Sequence, residues 1–497
     1  MWEATPVPGE TDAVSDRANE SGHRHSWRTA QGFTDLVLVV VVVASLFGRY
    51  SISVGRLTVR PEHAATGVLL VWTLLGAARR RAALARLRDP MVVLLAAWLG
   101  IGVVSTALFA PSRSGSLPIL GWLVSDLILL VCLLAVVDRL GVAERTGAVL
   151  VVPWAALGVG AVVAAVHGWL TWGVQFDDVF HVYAAYATAY EANIFAAFVA
   201  AWALVLVWRD GHRLWVAVLA AVIVPLAILA GQTRASLAAL ALGLVLMLAM
   251  TWRMWWGSPR WWVTTRAAVL MLAGLAVIAV VGPVKSFGQA PGATAGGANG
   301  ATPSISAFPS PTSPSPTSPS PTSPSARPTA TAAPPTPTAT PQPDKITHFG
   351  FGDNFEFRRI VAQTAMSDMA GVRWLVGNGI NTFGQRHDDP TQAGVPGYIS
   401  SLPIQVLYDT GIAGVAVFVG FVIAAFRRVP AHRRSLAIPV AASLAVTSTF
   451  TSSLWFSTTW IMVAVLVRPT TRAYAGVTAQ HLLDGLGDPT VELVAGE

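Results

Sequence analysis

PMVVLLAAWLGIGVVSTALFA at 90–110 and LPILGWLVSDLILLVCLLAVV at 117–137 decide the class of fold, because neither carries a charged residue apart from Asp126 in the second. A helix rises 1.5 Å per residue, so about 20 such residues cross a hydrocarbon core of roughly 30 Å. Working outward, further apolar runs stand at 33–49, 63–78, 147–170, 192–208, 214–231, 235–252, 266–284, 403–426, 435–452 and 454–468. Together they predict an all-α polytopic membrane protein with about twelve transmembrane helices. The 497-residue chain as a whole agrees. It is 54% hydrophobic and only 12% charged, against about a quarter charged in soluble domains, and its mean hydropathy is +0.57.

Arginines set the expected orientation, since positively charged loops stay in the cytoplasm. Arg79, Arg80, Arg81, Arg86 and Arg88 follow the second run, Arg139 and Arg145 the fourth, and Arg209 and Arg213 the sixth. Arg253, Arg260 and Arg266 follow the eighth, and Arg427, Arg428, Arg433 and Arg434 the tenth. Those loops and both termini are expected inside a plasma membrane that the chain crosses many times. Arg49, Arg56 and Arg60, in the first outer loop, run against the rule. The net charge of +7 does not point to nucleic acid, because the cations sit in short clusters between apolar runs. The single cysteine, Cys132, lies inside such a run and excludes intrachain disulfides. Residues 1–32 are polar and show no short apolar core before an Ala-x-Ala site, so no cleaved signal peptide is expected.

The alternation of runs breaks over 285–402. Residues 285–343 are dominated by Pro, Ser, Thr and Ala, with PTSPSPTSPSPTSPS at 311–325. Such composition buries too little apolar surface to offset ordering entropy, so an extended, disordered extracytoplasmic tether is expected, either plain or O-glycosylated. Composition changes over 344–402, predicting an ordered outer loop. There Phe355, Ile360, Ala362 and Met366 against Arg358, Arg359, Gln363 and Asp368 suit a helix lying on the membrane face. The expected order is a disordered cytoplasmic N-terminus (1–32), nine spans (33–284), the tether, the ordered loop, three spans (403–468) and a cytoplasmic tail (469–497).

Ionisable residues in or beside spans are costly and are candidates for function. Arg234, in LAGQTRASLAAL, opens the eighth span; its bland alternative is an interfacial snorkelling arginine. Asp126 lies mid-span, where packing against a Ser or Arg competes with a functional role. Glu191 and Asn193 begin the sixth span beneath GVQFDDVFHVYAAYATAYE (173–191), and Asp409 begins the tenth, where a helix-start carboxylate is the alternative. Gly377 and Gly379 flank Asn378 and allow positive φ, so their amides could line an anion pocket or form a plain turn. His181, His348, His387 and the pairs Asp177/Asp178 and Asp388/Asp389 complete the outer candidates. Without further ligands at defined spacing, the acidic pairs read as solvated loop, and no metal site or cofactor is expected.

Two blocks in this order resemble the O-antigen ligase and polymerase superfamily of bacterial envelope glycan enzymes. The first is Gly231-Gln-Thr-Arg-Ala-Ser-Leu-Ala, with Arg234 at the family arginine. The second runs from Arg358 through GVRWLVGNGINTF (371–383) to ISSLPIQVLYDTGIAGVAVF (399–418). The chain departs from the family at its His-Asn position, here Ser400-Ser401, and in having Asp409 for the usual Glu. That departure argues against ligation to a lipid A–core acceptor and toward an actinobacterial-type polymerase, or a ligase for another surface glycan.

The resemblance implies a GT-C-like helical fold with a large extracytoplasmic loop between the ninth and tenth spans. It implies inverting, metal-independent glycosyl transfer from an undecaprenyl-diphosphate-linked glycan to a glycan or lipid acceptor. Arg234, Arg358 and Asp409 then stand as catalytic candidates, with His348 and His387 as other possible bases. Arg359, Gly377, Gly379, Ser400, Gln405, Asp126 and Glu191 stand as substrate-binding candidates. An exporter or transporter and an inactive scaffold of the same superfamily are the competing readings; a dolichol-phosphate-type mannosyltransferase fits less, since 49–62 offers only Glu62 where paired acids would stand.

Overall fold

A computed structural model describes residues 30–54, 57–177, 182–211, 213–255, 259–281, 351–387 and 399–468. The tether, both tails, His181, His348, Asp178 and Asp388/Asp389 lie outside them. The described chain is mostly helical. In order come α1 (Ala30–Ser45), α2 (Pro61–Leu75), α3 (Ala77–Arg86), α4 (Pro90–Phe109), α5 (Arg113–Ala135) and α6 (Leu140–Val166). Then follow α7 (Ala192–Asp210), α8 (Leu214–Ala230), α9 (Arg234–Trp255), α10 (Pro259–Val281), α11 (Phe351–Ser367), α12 (Arg373–Val376), α13 (Thr382–His387), α14 (Leu402–Arg428), α15 (Arg434–Ser448) and α16 (Ser457–Leu466).

The ends of these helices follow local chemistry. Asp89 accepts from the Met91 amide at 3.1 Å and Pro90 fills the first position of α4, where a missing N–H costs nothing. Ser112 caps α5 through the Gly115 amide at 3.2 Å. A helix stands in each of the twelve apolar runs. Six of these helices, α4, α5, α6, α7, α9 and α14, are long and apolar enough to cross a membrane by length and composition.

Packing centres on α7, whose apolar stretch is 83% buried while the other five reach at most 50%. Small residues on its neighbours admit its bulk: a Cβ at Gly147 or Gly158 of α6 would overlap the rings of Trp202 and Phe195. Close approach of this kind replaces the hydrophobic drive that is missing between helices in lipid.

Two short hairpins accompany the helices without changing the all-α class. Ile52–Val54 pairs antiparallel with Leu57–Val59 (β1, β2), and Val174–Asp177 with Val182–Ala185 (β3, β4). The first hairpin lies between α1 and α2 and the second between α6 and α7, where strand pairing satisfies backbone groups that would otherwise sit unpaired beside the bundle.

The arginine-rich connections gather at one end. Arg433 donates to Glu144 at 2.8 Å, both side chains being at most 5% exposed, and Arg468 approaches the same carboxylate at 3.6 Å. Arg139 pairs with Asp35, and Arg428 with Asp89.

Candidate functional site

The opposite end holds the sequence candidates, and its central feature is a break in α14. Gly411 has φ 64° and ψ −171°, a conformation essentially restricted to glycine, so the helix is interrupted there. The turn after α12 uses the carbonyls just before that break. Asn378 N–H donates to Tyr408 C=O at 2.7 Å and Gly379 N–H to Asp409 C=O at 3.0 Å. Gly377 N–H donates to Arg373 C=O at 2.7 Å and Ile380 N–H to Thr106 Oγ1 at 2.8 Å. Gly377 is itself at φ 86°, and a Cβ on it would overlap the Asp409 backbone. This overturns the anion-pocket reading of Gly377 and Gly379: four successive amides are already spent on the protein. The turn is a clasp that joins the two halves of the second sequence block.

Asp409 belongs to this clasp. It is 4% exposed and is held by the Gln405 side chain and the Asn381 backbone amide. Enclosed in this way, it is not placed to take a proton from an incoming acceptor. Gln405 spends its side chain on Asp409, and its Oε1 is buried without a hydrogen bond.

Helix α11 forms as expected but turns a different face inward. Val361, Ala365 and Met369 are buried and pack with Phe383, Ile399 and Tyr408, while Ile360, Ala362 and Met366 are only partly covered. It therefore lies against protein, at the clasp, rather than on bare lipid. Arg358 points from it toward the α15–α16 connection, donating to Phe450 C=O at 2.7 Å and to Ser400 Oγ at 3.4 Å. Arg359 is exposed.

Asp126 is 1% exposed in α5 and takes a hydrogen bond from Ser457 at 2.8 Å, while its Oδ2 has none. Beside it lies a group that the sequence reading left aside. Arg60, 4% exposed, stands over the Trp122 ring at 3.8 Å, with Tyr190 at 5.1 Å and Phe456 at 5.3 Å, and 3.6 Å from Glu62. The signal was present in Arg60-Pro-Glu62-His63, charge at the mouth of an apolar run.

Arg234 is exposed at the start of α9, in a turn whose Gly231 packs on Ala192 and Ala196 in the first turns of α7. Glu191 immediately precedes that helix, and burial raises its carboxyl above the ordinary glutamate value. The structure thus brings Arg358, Ser400, Gln405, Asp409, Gly377 and Gly379 into one unit. Asp126 lies across the α15–α16 connection with Arg60, and Arg234 and Glu191 adjoin at the α7 end.

A second polar group lies on the clasp. His387 Nε2 is 2.7 Å from Asp368 Oδ2, and the Tyr408 hydroxyl donates to the same oxygen at 2.8 Å. Among the described residues, no group of three or more His, Cys, Asp or Glu side chains is placed to hold a metal ion.

No protein-family model matches the chain, and no curated protein matches it in sequence.

Proposed function

We propose that the chain is a membrane glycosyltransferase, similar to O-antigen ligases and polymerases, acting on undecaprenyl-diphosphate-linked glycan at the outer face of the plasma membrane. In this reading all twelve apolar runs span, both termini are cytoplasmic, and 285–402 is the large outer loop of a GT-C-like fold. The observation that carries it is the clasp: residues 371–383 and 399–418, the longer block of the resemblance, are hydrogen-bonded into one unit at the broken α14. A departing diphosphate needs cations that approach in a fixed fork, which guanidinium supplies. Arg234 and Arg358 fill that role, with Arg359 beside them. The transfer is inverting and metal-independent, and the acceptor is a glycan or lipid hydroxyl.

Glycan analysis of a deletion strain separates the possibilities. Shortened polymer supports a polymerase and unattached lipid-linked polymer a ligase, while unchanged glycan overturns both. Complementation with Arg234→Ala and with Arg358→Ala should each abolish product while membrane insertion persists; normal product from both would remove the diphosphate assignment.

One alternative has specific support. The broken α14 and the buried Arg60, Glu62 and Asp126 are features of transporters, where interrupted helices and intramembrane charges form ion paths. An exporter of envelope glycan or lipid would accumulate its cargo inside when deleted, with polymer length unchanged.

A further inference from the structure

Glycosyl transfer to a hydroxyl needs a group to receive the acceptor proton, and neither Ser400 nor the enclosed Asp409 offers one. We propose that His387 is that general base, oriented by Asp368, which Tyr408 holds in turn; the assignment rests on the glycosyltransferase reading above.

Three elements that are far apart in sequence build the group. Asp368 follows the last turn of α11, His387 closes α13, and Tyr408 lies in α14 just before the break at Gly411. Tyr408 is fully buried, stacks edge-on against Phe383 with ring centres 5.5 Å apart, and fixes Asp368 from below through its hydroxyl. Phe383 also supports the imidazole at 4.7 Å. With its carboxylate held as an acceptor, Asp368 takes the Nε2–H of His387, which leaves the Nδ1 lone pair available. Among the described residues nothing hydrogen-bonds Nδ1. A nucleophile's base oriented by a third group is the arrangement that general-base catalysis requires.

Access and charge favour this group over Asp409. His387 is 22% and Asp368 18% exposed, whereas Asp409 is closed in at 4%. Two cations stand on the same patch. Arg386 donates to Phe109 C=O at 2.8 Å; Arg373 approaches the Asp368 carbonyl at 3.5 Å and lies over the Phe109 ring at 5.6 Å. Among the described residues, Asp368 meets His387 directly, Tyr408 meets it through Asp368, and Arg373 and Arg386 are the charged groups placed beside them on α12 and α13. In the step, the acceptor O–H gives its proton to Nδ1 as its oxygen bonds to the anomeric carbon. The bond from that carbon to the phosphate oxygen breaks, and its electron pair leaves with undecaprenyl diphosphate.

The test uses the purified full chain, lipid-linked glycan extracted from a deletion strain, and that strain's envelope fraction as acceptor. Absence of product with the wild type overturns the glycosyltransferase reading itself. If the wild type is active, His387→Ala should lose about 10²–10⁴-fold in rate and recover in part with added imidazole. The acidic limb of the pH–rate profile should vanish in that variant, and Asp368→Asn, which leaves the imidazole unoriented, should lower the rate in part. Retention of rate within about threefold with the limb unchanged overturns the base assignment alone. So does a His387→Ala protein that is inactive, unfolds at lower temperature and does not respond to imidazole.

Discussion

The two ends of the bundle treat their charges in opposite ways. At the arginine-rich end, Arg433 meets Glu144, Arg139 meets the half-buried Asp35 and Arg428 meets Asp89, so each of these carboxylates has a guanidinium on it. At the other end Arg60 lies on aromatic rings, Glu62 is 3.6 Å away, and one oxygen of Asp126 has no hydrogen bond. Paired ions of the first kind fix helix ends to one another. Incompletely paired groups in a dry interior are tolerated where they serve something other than stability, which is why function is sought at the second end.

Breaking the paired end should have the largest effect. Arg433→Met leaves Glu144 buried with only Arg468 at 3.6 Å, and removal of one partner from a buried pair costs about 3–5 kcal/mol. Thermal unfolding in detergent checks this, and the double variant Arg433→Met, Glu144→Leu should regain most of the loss. A single variant within about 1 kcal/mol of wild type would mean that these pairs do not hold the end together.

The same measurement at the other end should give a different sign. Asp126→Asn keeps the acceptor for Ser457 and removes one of the two carboxyls near the buried Arg60. Stability should be unchanged or raised, by up to about 1 kcal/mol. A loss as large as that of Arg433→Met would erase the contrast between the two ends.

How much of this was legible in sequence follows from the range of each interaction. The helices were legible because a hydrocarbon core imposes its length on contiguous residues, and helices stand in all the apolar runs. The α11 helix was legible too, but the buried stripe Val361, Ala365, Met369 depends on what packs against it. Gly377-Asn378-Gly379 invited an anion because its amides looked free; what uses them is the break at Gly411, hidden in DTGIAG, which reads as helix interior. Asp368, His387 and Tyr408 converge from separations of 19 and 40 residues, which no local spacing reveals. Arg60 and Glu62 stand two residues apart in the sequence, yet there Arg60 reads only as an exception to the charge rule and Glu62 only as a lone acid.

The smallest expected effect refines the comparison at Glu191, which precedes α7 without capping it. Burial raises its carboxyl above the ordinary value of 4.5, so the folded state holds the proton more tightly than the unfolded state. Below pH 4.5 both states are protonated and this contribution to stability is fully present. As pH rises above that point the unfolded chain loses its proton first, and the contribution fades until the folded value is passed. Glu191→Gln carries no such proton. The unfolding temperature of the wild type relative to Glu191→Gln should therefore decline as pH rises from 4.5. A difference that stays flat with pH, or that grows in favour of the wild type, would place a compensating cation at Glu191 and move it to the paired class of carboxylates.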